Sequence, residues 1–219
     1  YYDIYNQSTL TIPLTDICII TLPFKKSLTD PEKYSTAIIE LSKKIAIHNY
    51  KKIIFTSSTS IYANSNKIAT ETTTCDTTDR ALTLKKAEDY LLQQNKHTLI
   101  LRLAGICGKN RNSRNKASSS QIIDASTPMN LIHVNDIINF IHNACINNYS
   151  SDIINLCCSD HPSRKTYYTF ICNQLNLPKP TFVTSSAPHK LVSNKKLVTK
   201  YEFDLLFPSP LQFTFNNDE

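Results

Sequence analysis

Short apolar runs alternate with amphipathic stretches along this chain of 219 residues. The runs at Ile17–Ile20, 52–57 and Thr98–Leu103 each contain at least three consecutive apolar residues, without the polar alternation of a half-exposed strand. Continuous apolar runs of this kind are typical of strands that are covered on both faces. Because longer helical stretches separate them, the pattern predicts a parallel α/β sheet.

The stretches between these runs have the spacing of helices. Tyr34, Ile38, Leu41 and Ile45 recur every three or four residues, and Pro31 precedes them at a position that favours a helix start. The same kind of pattern predicts helices over 80–94, after position 136, around 167–175 and at 194–200, with a strand over 153–157 and a mobile loop over 109–121. One further strand is therefore expected in the second half of the chain.

The composition is that of an ordinary globular protein, with 41% hydrophobic and 19% charged residues. No apolar run approaches the roughly 18 residues of a membrane span, and residues 1–14 mix polar with apolar positions, unlike a secretory signal. We therefore expect a cytoplasmic protein that does not bind membranes. Its seven cysteines include no Cys-x-x-Cys pair, which predicts reduced thiols and no metal site.

The net charge of +6 is compatible with an anionic partner. The chain is also rich in Asn, Lys, Ile and Tyr and has only two glycines, a bias that A+T-rich codons produce without selection for binding. Because no helix carries arginines interleaved with aromatic residues, we do not expect nucleic-acid binding. The charge by itself thus identifies no partner.

Small and hydroxyl side chains stand where three of the predicted strands end. In a parallel sheet, ligands bind beyond the carboxyl ends of the strands. Hydroxyls placed there can bond a ligand oxygen, but they can equally cap the loops of the protein itself. The residues in question are Thr21, Leu22 and Pro23 after the first run, Thr56, Ser57 and Ser58 at the end of the second, and Ala104 and Gly105 after the third.

Four short motifs follow one another along the chain. They are Ile-Ile-Thr-Leu-Pro at 19–23, Ser-Ser-Thr-Ser-Ile-Tyr at 57–62, Arg-Leu-Ala-Gly-Ile-Cys-Gly at 102–108 and Leu-Ile-His-Val-Asn-Asp at 131–136. In type, order and spacing they resemble motifs of the extended short-chain dehydrogenases/reductases, the NAD-dependent epimerase/dehydratase family. Shorter matches to the atypical YeeZ-like branch of that family lie at 20–23, 55–60, 102–105 and 161–164.

The resemblance implies a Rossmann-like, doubly wound parallel sheet that lacks its first strands, followed by a smaller C-terminal part. Residues 1–108 would form a partial NAD(P)-binding Rossmann domain, and residues 109–219 the substrate-binding part. The implied activity is that of an epimerase, dehydratase or reductase that uses NAD or NADP.

The resemblance also implies roles for the residues at the strand ends. Ser58 would polarise the substrate oxygen as the catalytic residue. The cofactor would be bound by Thr21, Leu22, Pro23, Thr56, Ser57, Ala104 and Gly105. Beside these, Arg111 and Arg114 in the loop are candidates for binding the phosphate or carboxylate of a small substrate, sugar-like or anionic, because a guanidinium binds such groups bidentately. The alternative for this pair is a solvated basic loop.

Two features depart from the family pattern, and the first is the phosphate cradle. A dinucleotide-binding fold needs Gly-x-Gly-x-x-Gly after its first strand. The glycines of this sequence, Gly105 and Gly108, lie far downstream, and the chain opens at Tyr1 without methionine. We therefore expect a truncated sequence, with roughly 50 residues, about one βαβ unit, preceding Tyr1.

The second departure concerns the acid/base pair. Reductases of the family use Tyr-x-x-x-Lys on a helix, where the lysine lowers the pKa of the tyrosine. Counting back from Glu88 places Arg80 and Leu84 at these two positions. Three hypotheses follow: an atypical NAD(P)-dependent enzyme, a non-catalytic cofactor-binding or sensing protein, and a degenerate gene product without activity.

Overall fold

The chain contains both helices and strands, as the sequence predicts. The structure, a computed structural model, describes residues 12, 15–22, 31–47, 50–94, 97–108 and 117–215. Its strands are β1 (Ile17–Ile20), β2 (Lys52–Ser58), β3 (Lys67–Ala69), β4 (Thr98–Leu103), β5 (Gly105–Cys107), β6 (Gln121–Ile123), β7 (Leu131–His133), β8 (Asp152–Leu156), β9 (Thr181–Val183) and β10 (Lys190–Val192). Its helices are α1 (Pro31–Ala46), α2 (Asp79–Gln94), α3 (Val134–Ile146), α4 (Arg164–Gln174) and α5 (Lys195–Lys200), with short 3-10 turns at Thr59–Ile61 and Pro210–Gln212.

The predicted apolar runs form one sheet of four strands in the order β1-β2-β4-β8. β1 and β2 are parallel, with Ile20 at the end of β1 opposite Phe55, three residues before the end of β2. Every residue of β4 is buried, as expected for a strand covered on both faces. The remaining strands form three parallel pairs, β3 with β10, β5 with β7 and β6 with β9.

The helical stripe predicted for α1 is confirmed. Tyr34, Ile38 and Ile45 are at most 3% exposed, and Leu41 is half-buried. The opposite face of the helix carries Glu40 and Lys43, which form an exposed ion pair. α1 thus has one apolar and one solvated face, and the apolar face belongs to the core.

The helix predicted after position 136 begins two residues earlier, at Val134. Asp136 therefore lies in the first turn of α3, where a negative charge is favourable. Its buried carboxylate accepts hydrogen bonds from the backbone amides of Leu206 (2.6 Å) and Phe207 (3.2 Å). The loop predicted over 109–121 gives way to β6 at Gln121, and residues 109–116 lie outside the described residues.

The chain folds into two compact units. The first comprises residues 1–63, 73–102 and 141–154, and the second 64–72, 103–140 and 155–219. The division falls within β4, β8 and α3, so it does not follow the ends of elements. The predicted boundary at residue 108 concerns function, and it stays a prediction.

The second unit has an apolar core of its own. Tyr167, Ile171 and Cys172 on α4 pack with Phe213 and Phe215 near the C-terminus, and all five are buried. The His133 ring lies between two phenylalanines, with centroid distances of 4.1 Å to Phe207 and 5.2 Å to Phe213. No helix in the described ranges is long and apolar enough to cross a membrane.

Candidate functional site

The first part of the candidate site lies at the shared edge of β1 and β2. Because β1 is parallel to β2 and ends opposite Phe55, Thr21 and Leu22 leave the sheet beside Thr56. The Thr56 hydroxyl donates to the carbonyl oxygen of Ile20 at 3.4 Å, and the Tyr34 hydroxyl donates to that of Leu22 at 2.8 Å. The structure therefore brings together two of the three predicted segments that follow strands.

Ser58 ends β2 and begins the 3-10 turn that follows. Its backbone is extended, with φ −143° and ψ 141°, and its Oγ accepts a hydrogen bond from the Ser60 amide at 3.1 Å. The side chain is half-buried, and in the part of the chain that the structure describes its hydroxyl proton meets no acceptor. This hydroxyl can therefore donate to a ligand oxygen.

Ser57 points in the opposite direction, as successive residues of a strand do. It is 7% exposed, and its hydroxyl donates to Glu88 Oε1 at 2.5 Å. Only the backbone of Ser57 remains for a ligand. A cofactor contact by this residue stays a prediction, limited to its main chain.

Glu88 and Arg102 form a buried ion pair behind the serine segment. Arg102 Nη2 donates to Glu88 Oε2 at 2.6 Å, and its Nη1 donates to the Tyr62 hydroxyl at 2.8 Å. Arg102 and Tyr62 are each 1% exposed and Glu88 is fully buried. Burial alone would lower the pKa of the Arg102 guanidinium, but the hydrogen bonds and charge of Glu88 outweigh it and raise that pKa above its ordinary value.

The two residues at the positions expected for an acid/base pair on α2 make structural contacts instead. Leu84 is 1% exposed and belongs to the core. Arg80 donates from Nε to the Ser60 hydroxyl at 2.9 Å. Lys85, on the same helix, lies 2.5 Å from Asp89 in a half-exposed ion pair. α2 therefore contains no tyrosine that is followed four residues later by a lysine.

The third predicted segment, Ala104 and Gly105, lies in the second unit. The Ala104 amide donates to the Leu156 carbonyl, and the Gly105 amide donates to the Asn130 carbonyl, both at 3.0 Å. A Cβ atom on Gly105 would lie 2.8 Å from Leu131 Cδ2. A larger residue at this point would therefore require the Leu131 side chain to move, while Gly105 itself is exposed.

Three predicted residues, Pro23, Arg111 and Arg114, lie outside the described residues. Their proposed roles stay predictions. The described residues also contain no group of three or more His, Cys, Asp or Glu placed to hold a metal ion.

The ion pair of Glu88 and Arg102 was not predicted as a feature of the site. A signal for it exists in the sequence. Arg102 interrupts the apolar run of β4, and Glu88 follows Ala87 on the helix face that also carries Leu84 and Leu91. Opposite charges inside two buried elements indicate a pair, since an unpaired buried charge is too costly to keep.

Comparison with known proteins shows similarity at the level of sequence and of fold. No family model matches the chain. Over 205 residues it is 31% identical to the protein YeeZ of Escherichia coli K12, a match that covers 90% of this chain and 73% of that protein.

Solved structures with the same fold are more distant in sequence. RMD from Pseudomonas aeruginosa, complexed with NADPH, has a TM-score of 0.78 at 13% identity and covers 97% of this chain and 84% of its own. The ADP-L-glycero-D-manno-heptose-6-epimerase of Helicobacter pylori has a TM-score of 0.78 at 14% identity, covering 96% and 76%. MoeE5, in complex with UDP-glucuronic acid and NAD, has a TM-score of 0.72 at 14% identity, covering 91% and 77%. The predicted Rossmann-like α/β class is confirmed.

Proposed function

Because the chain belongs to the YeeZ-like branch of the NAD-dependent epimerase/dehydratase family, the extended short-chain dehydrogenases/reductases, we propose that it binds NAD or NADP and acts on a small molecule as an epimerase, dehydratase or reductase. The observation that carries this proposal is the geometry of Ser58. Its hydroxyl stands at the carboxyl end of a central strand, where ligands bind in sheets of this type. A donor held there polarises the oxygen of a bound carbonyl or alcohol.

The residues at the strand ends suit the nicotinamide and ribose half of such a cofactor. We assign this role to Thr21, Leu22 and Pro23, to Thr56 and the backbone of Ser57, and to Ala104 and Gly105. Hydroxyls match ribose oxygens, and small residues admit a flat ring close to the main chain. In such folds the pyrophosphate lies at a glycine-rich turn after the first strand, and we assign none of these residues to it. When bound, the nicotinamide supplies hydride donation or acceptance.

A nucleotide sugar with an anionic group is the substrate class that we propose. MoeE5, which has the same fold, binds UDP-glucuronic acid. Arg111 and Arg114 would bind its phosphate or carboxylate, because the planar guanidinium matches both groups. The chain's formal charge of +6 favours the approach of such a ligand.

A second candidate is a cofactor-binding or sensing protein without turnover. The burial of Leu84 and the bond from Arg80 to Ser60 favour it, because these positions then supply neither the acid nor the lysine of the usual pair. Loss of a general acid/base costs about 10²–10⁴ in rate. The two candidates differ in turnover and not in cofactor binding.

The test combines cofactor binding with turnover. We would titrate the protein with NADH and NADPH by nicotinamide fluorescence, then assay UDP-glucose and UDP-glucuronic acid with NAD and NADP. Ser58→Ala should lower kcat about 10²–10³-fold, as loss of one oxyanion donor does. Its NADH affinity should change little, because the proposed target of the hydroxyl is the substrate.

Ser65→Ala, a change at an exposed serine outside the site, is the matched control and should behave like the unmodified protein. Binding without turnover on any substrate would support the sensing protein. Absence of binding to either reduced cofactor would contradict both candidates. Unchanged turnover in Ser58→Ala would remove the role of that residue alone.

A further inference from the structure

The segment that carries Ser58 is tied to the core at both ends. At one end the Ser57 hydroxyl donates to Glu88 Oε1 at 2.5 Å. At the other end the Tyr62 hydroxyl accepts from Arg102 Nη1 at 2.8 Å. Between these two anchors lies the 3-10 turn Thr59–Ile61.

The two anchors meet at a single ion pair. Glu88 Oε1 accepts from both Ser57 and Arg102 Nε, while Glu88 Oε2 accepts from Arg102 Nε and Nη2. The Arg102 guanidinium also lies 5.0 Å from the centroid of the Tyr62 ring. The ion pair between α2 and β4 thereby forms hydrogen bonds both with β2 and with the residue that follows the 3-10 turn.

Because these side chains are buried, their hydrogen bonds restrict the positions that the groups can take. All four side chains are at most 7% exposed, so water does not compete for their hydrogen bonds. A bidentate guanidinium–carboxylate pair is also restricted in orientation, because several parallel bonds must form at once. A shift of Ser57 or Tyr62 would break a buried hydrogen bond.

We propose that Glu88 and Arg102 are positioning residues, which hold the segment Ser57–Tyr62 so that the Ser58 hydroxyl faces its ligand. The use of that hydroxyl rests on the proposed function, whereas the anchoring of the segment can be tested without it. The amide of Ser60 bonds to Ser58 Oγ at 3.1 Å, and that of Tyr62 bonds to the Thr59 carbonyl at 3.2 Å. Hydrogen exchange at these two amides reports the shape of the segment.

The experiment removes one anchor at a time and leaves the ion pair in place. Ser57→Ala removes the donor to Glu88, and Tyr62→Phe removes the acceptor for Arg102. Their matched controls are Ser42→Ala, which removes a buried serine bond to the Ile38 carbonyl, and Tyr149→Phe, which removes a tyrosine bond to Asn143 Oδ1. Each control makes the same chemical change elsewhere in the first unit.

Native-state hydrogen exchange is the first measurement. In Ser57→Ala and Tyr62→Phe the Ser60 and Tyr62 amides should exchange about tenfold faster relative to amides in β4, as expected for the loss of one buried hydrogen bond. In the two controls this ratio should stay unchanged. Equal acceleration throughout the first unit, or none at Ser60 and Tyr62, would overturn the proposal.

Turnover, where the protein has it, gives the second measurement. Both anchor variants should lower kcat about tenfold with little change in KM, as expected when the interaction that is lost forms only in the transition state. Adding Ser58→Ala to either should cost less than Ser58→Ala costs alone, because the segment no longer presents the hydroxyl. Additive losses would overturn the positioning role. Faster local exchange in a protein that binds no nicotinamide cofactor would support the anchoring and refute the proposed function.

Discussion

Arg102 and Glu88 face each other in a part of the chain from which water is excluded. The Arg102 side chain is 1% exposed and that of Glu88 fully buried, with 2.6 Å between Nη2 and Oε2. Taking two charges out of water is costly, and their mutual attraction offsets this cost only when the geometry is good. The pair therefore adds little net stability, whereas either charge left alone is strongly destabilising.

The loss of stability caused by an unpaired buried charge can be measured by comparing two neighbouring acidic residues of α2. Glu88→Gln removes the buried charge opposite Arg102 and should lower the free energy of unfolding by about 3–5 kcal/mol. Asp89→Asn removes the half-exposed partner of Lys85 and should cost less than about 1 kcal/mol. Urea denaturation of the two variants and of the unmodified protein gives both values.

A double variant distinguishes the effect of the unpaired charge from the effect of altered packing. Glu88→Gln with Arg102→Met leaves no buried ion, so it should recover much of the stability that Glu88→Gln loses. A double variant less stable than Glu88→Gln would show that packing, and not the unpaired charge, causes the loss.

The difference between Ser57 and Ser58 shows which features of single residues could be predicted from the sequence. The motif and its place at a strand end were predicted correctly from the residue pattern. Which hydroxyl faces the core depends on the register of β2, because successive side chains point to opposite faces. The buried partner of Ser57 is Glu88, 31 positions away, and no local pattern contains this contact.

At the scale of elements, Lys52 connects the start of β2 with the end of α3. It is 5% exposed, and its ammonium donates to the carbonyl oxygens of Ala144 and Asn147. The last carbonyls of a helix have no partner within the helix, and a positive charge beside them is favourable. Burial lowers the pKa of Lys52, and the interaction with Cys145 opposes this effect only in part.

Lys52→Met should therefore destabilise the protein, by about 1–3 kcal/mol, because the buried carbonyl of Ala144 and the partly buried carbonyl of Asn147 lose their donor. Lys51→Met is the control. Lys51 is exposed and pairs with Asp16 at 3.1 Å, so its replacement should cost less than about 1 kcal/mol. Thermal unfolding of both variants tests the difference, and equal losses would contradict the capping role of Lys52.

Elements of different length differ in how well the sequence predicts them. β1 and β4 have their predicted bounds, and α2 begins one residue before its predicted start. The strands β3, β5, β6, β7, β9 and β10 were not predicted, and each has three residues. Three residues show neither the period of a strand nor that of a helix. These strands form through pairing with distant segments, as β3 does with β10.

At the scale of the whole molecule, the two units are not continuous segments of the chain. Asn64–Thr72 belongs to the second unit although the residues on either side belong to the first. Its strand β3 pairs with β10, more than a hundred residues later. Composition and periodicity describe neighbours in sequence, so they predict the α/β class but not this interleaving. The family resemblance supplied the fold because it compares whole chains.

One buried and one half-buried histidine of the second unit, His133 and His161, are expected to make stability depend on pH. Burial lowers the pKa of His133, and the nearby charge of Asp136 opposes this effect only in part. Burial also lowers the pKa of His161, whose ring lies 3.3 Å from the Met129 carbonyl oxygen. Burial raises the pKa of Asp136 above its ordinary 3.8, which favours the folded chain at more acid pH and opposes the histidines there.

A histidine whose pKa is lowered by folding binds its proton more readily in the unfolded chain. As the pH falls through about 6.5, the unfolded chain takes up protons that the folded chain does not, and the free energy of unfolding decreases. The urea midpoint should therefore be lower at pH 5.5 than at pH 7.5. His133→Phe fills the same space between two phenylalanines without titrating, so it should reduce this difference, whereas His142→Gln, at an exposed position, should leave it unchanged. A pH dependence equal in all three proteins would mean that His133 does not contribute to it.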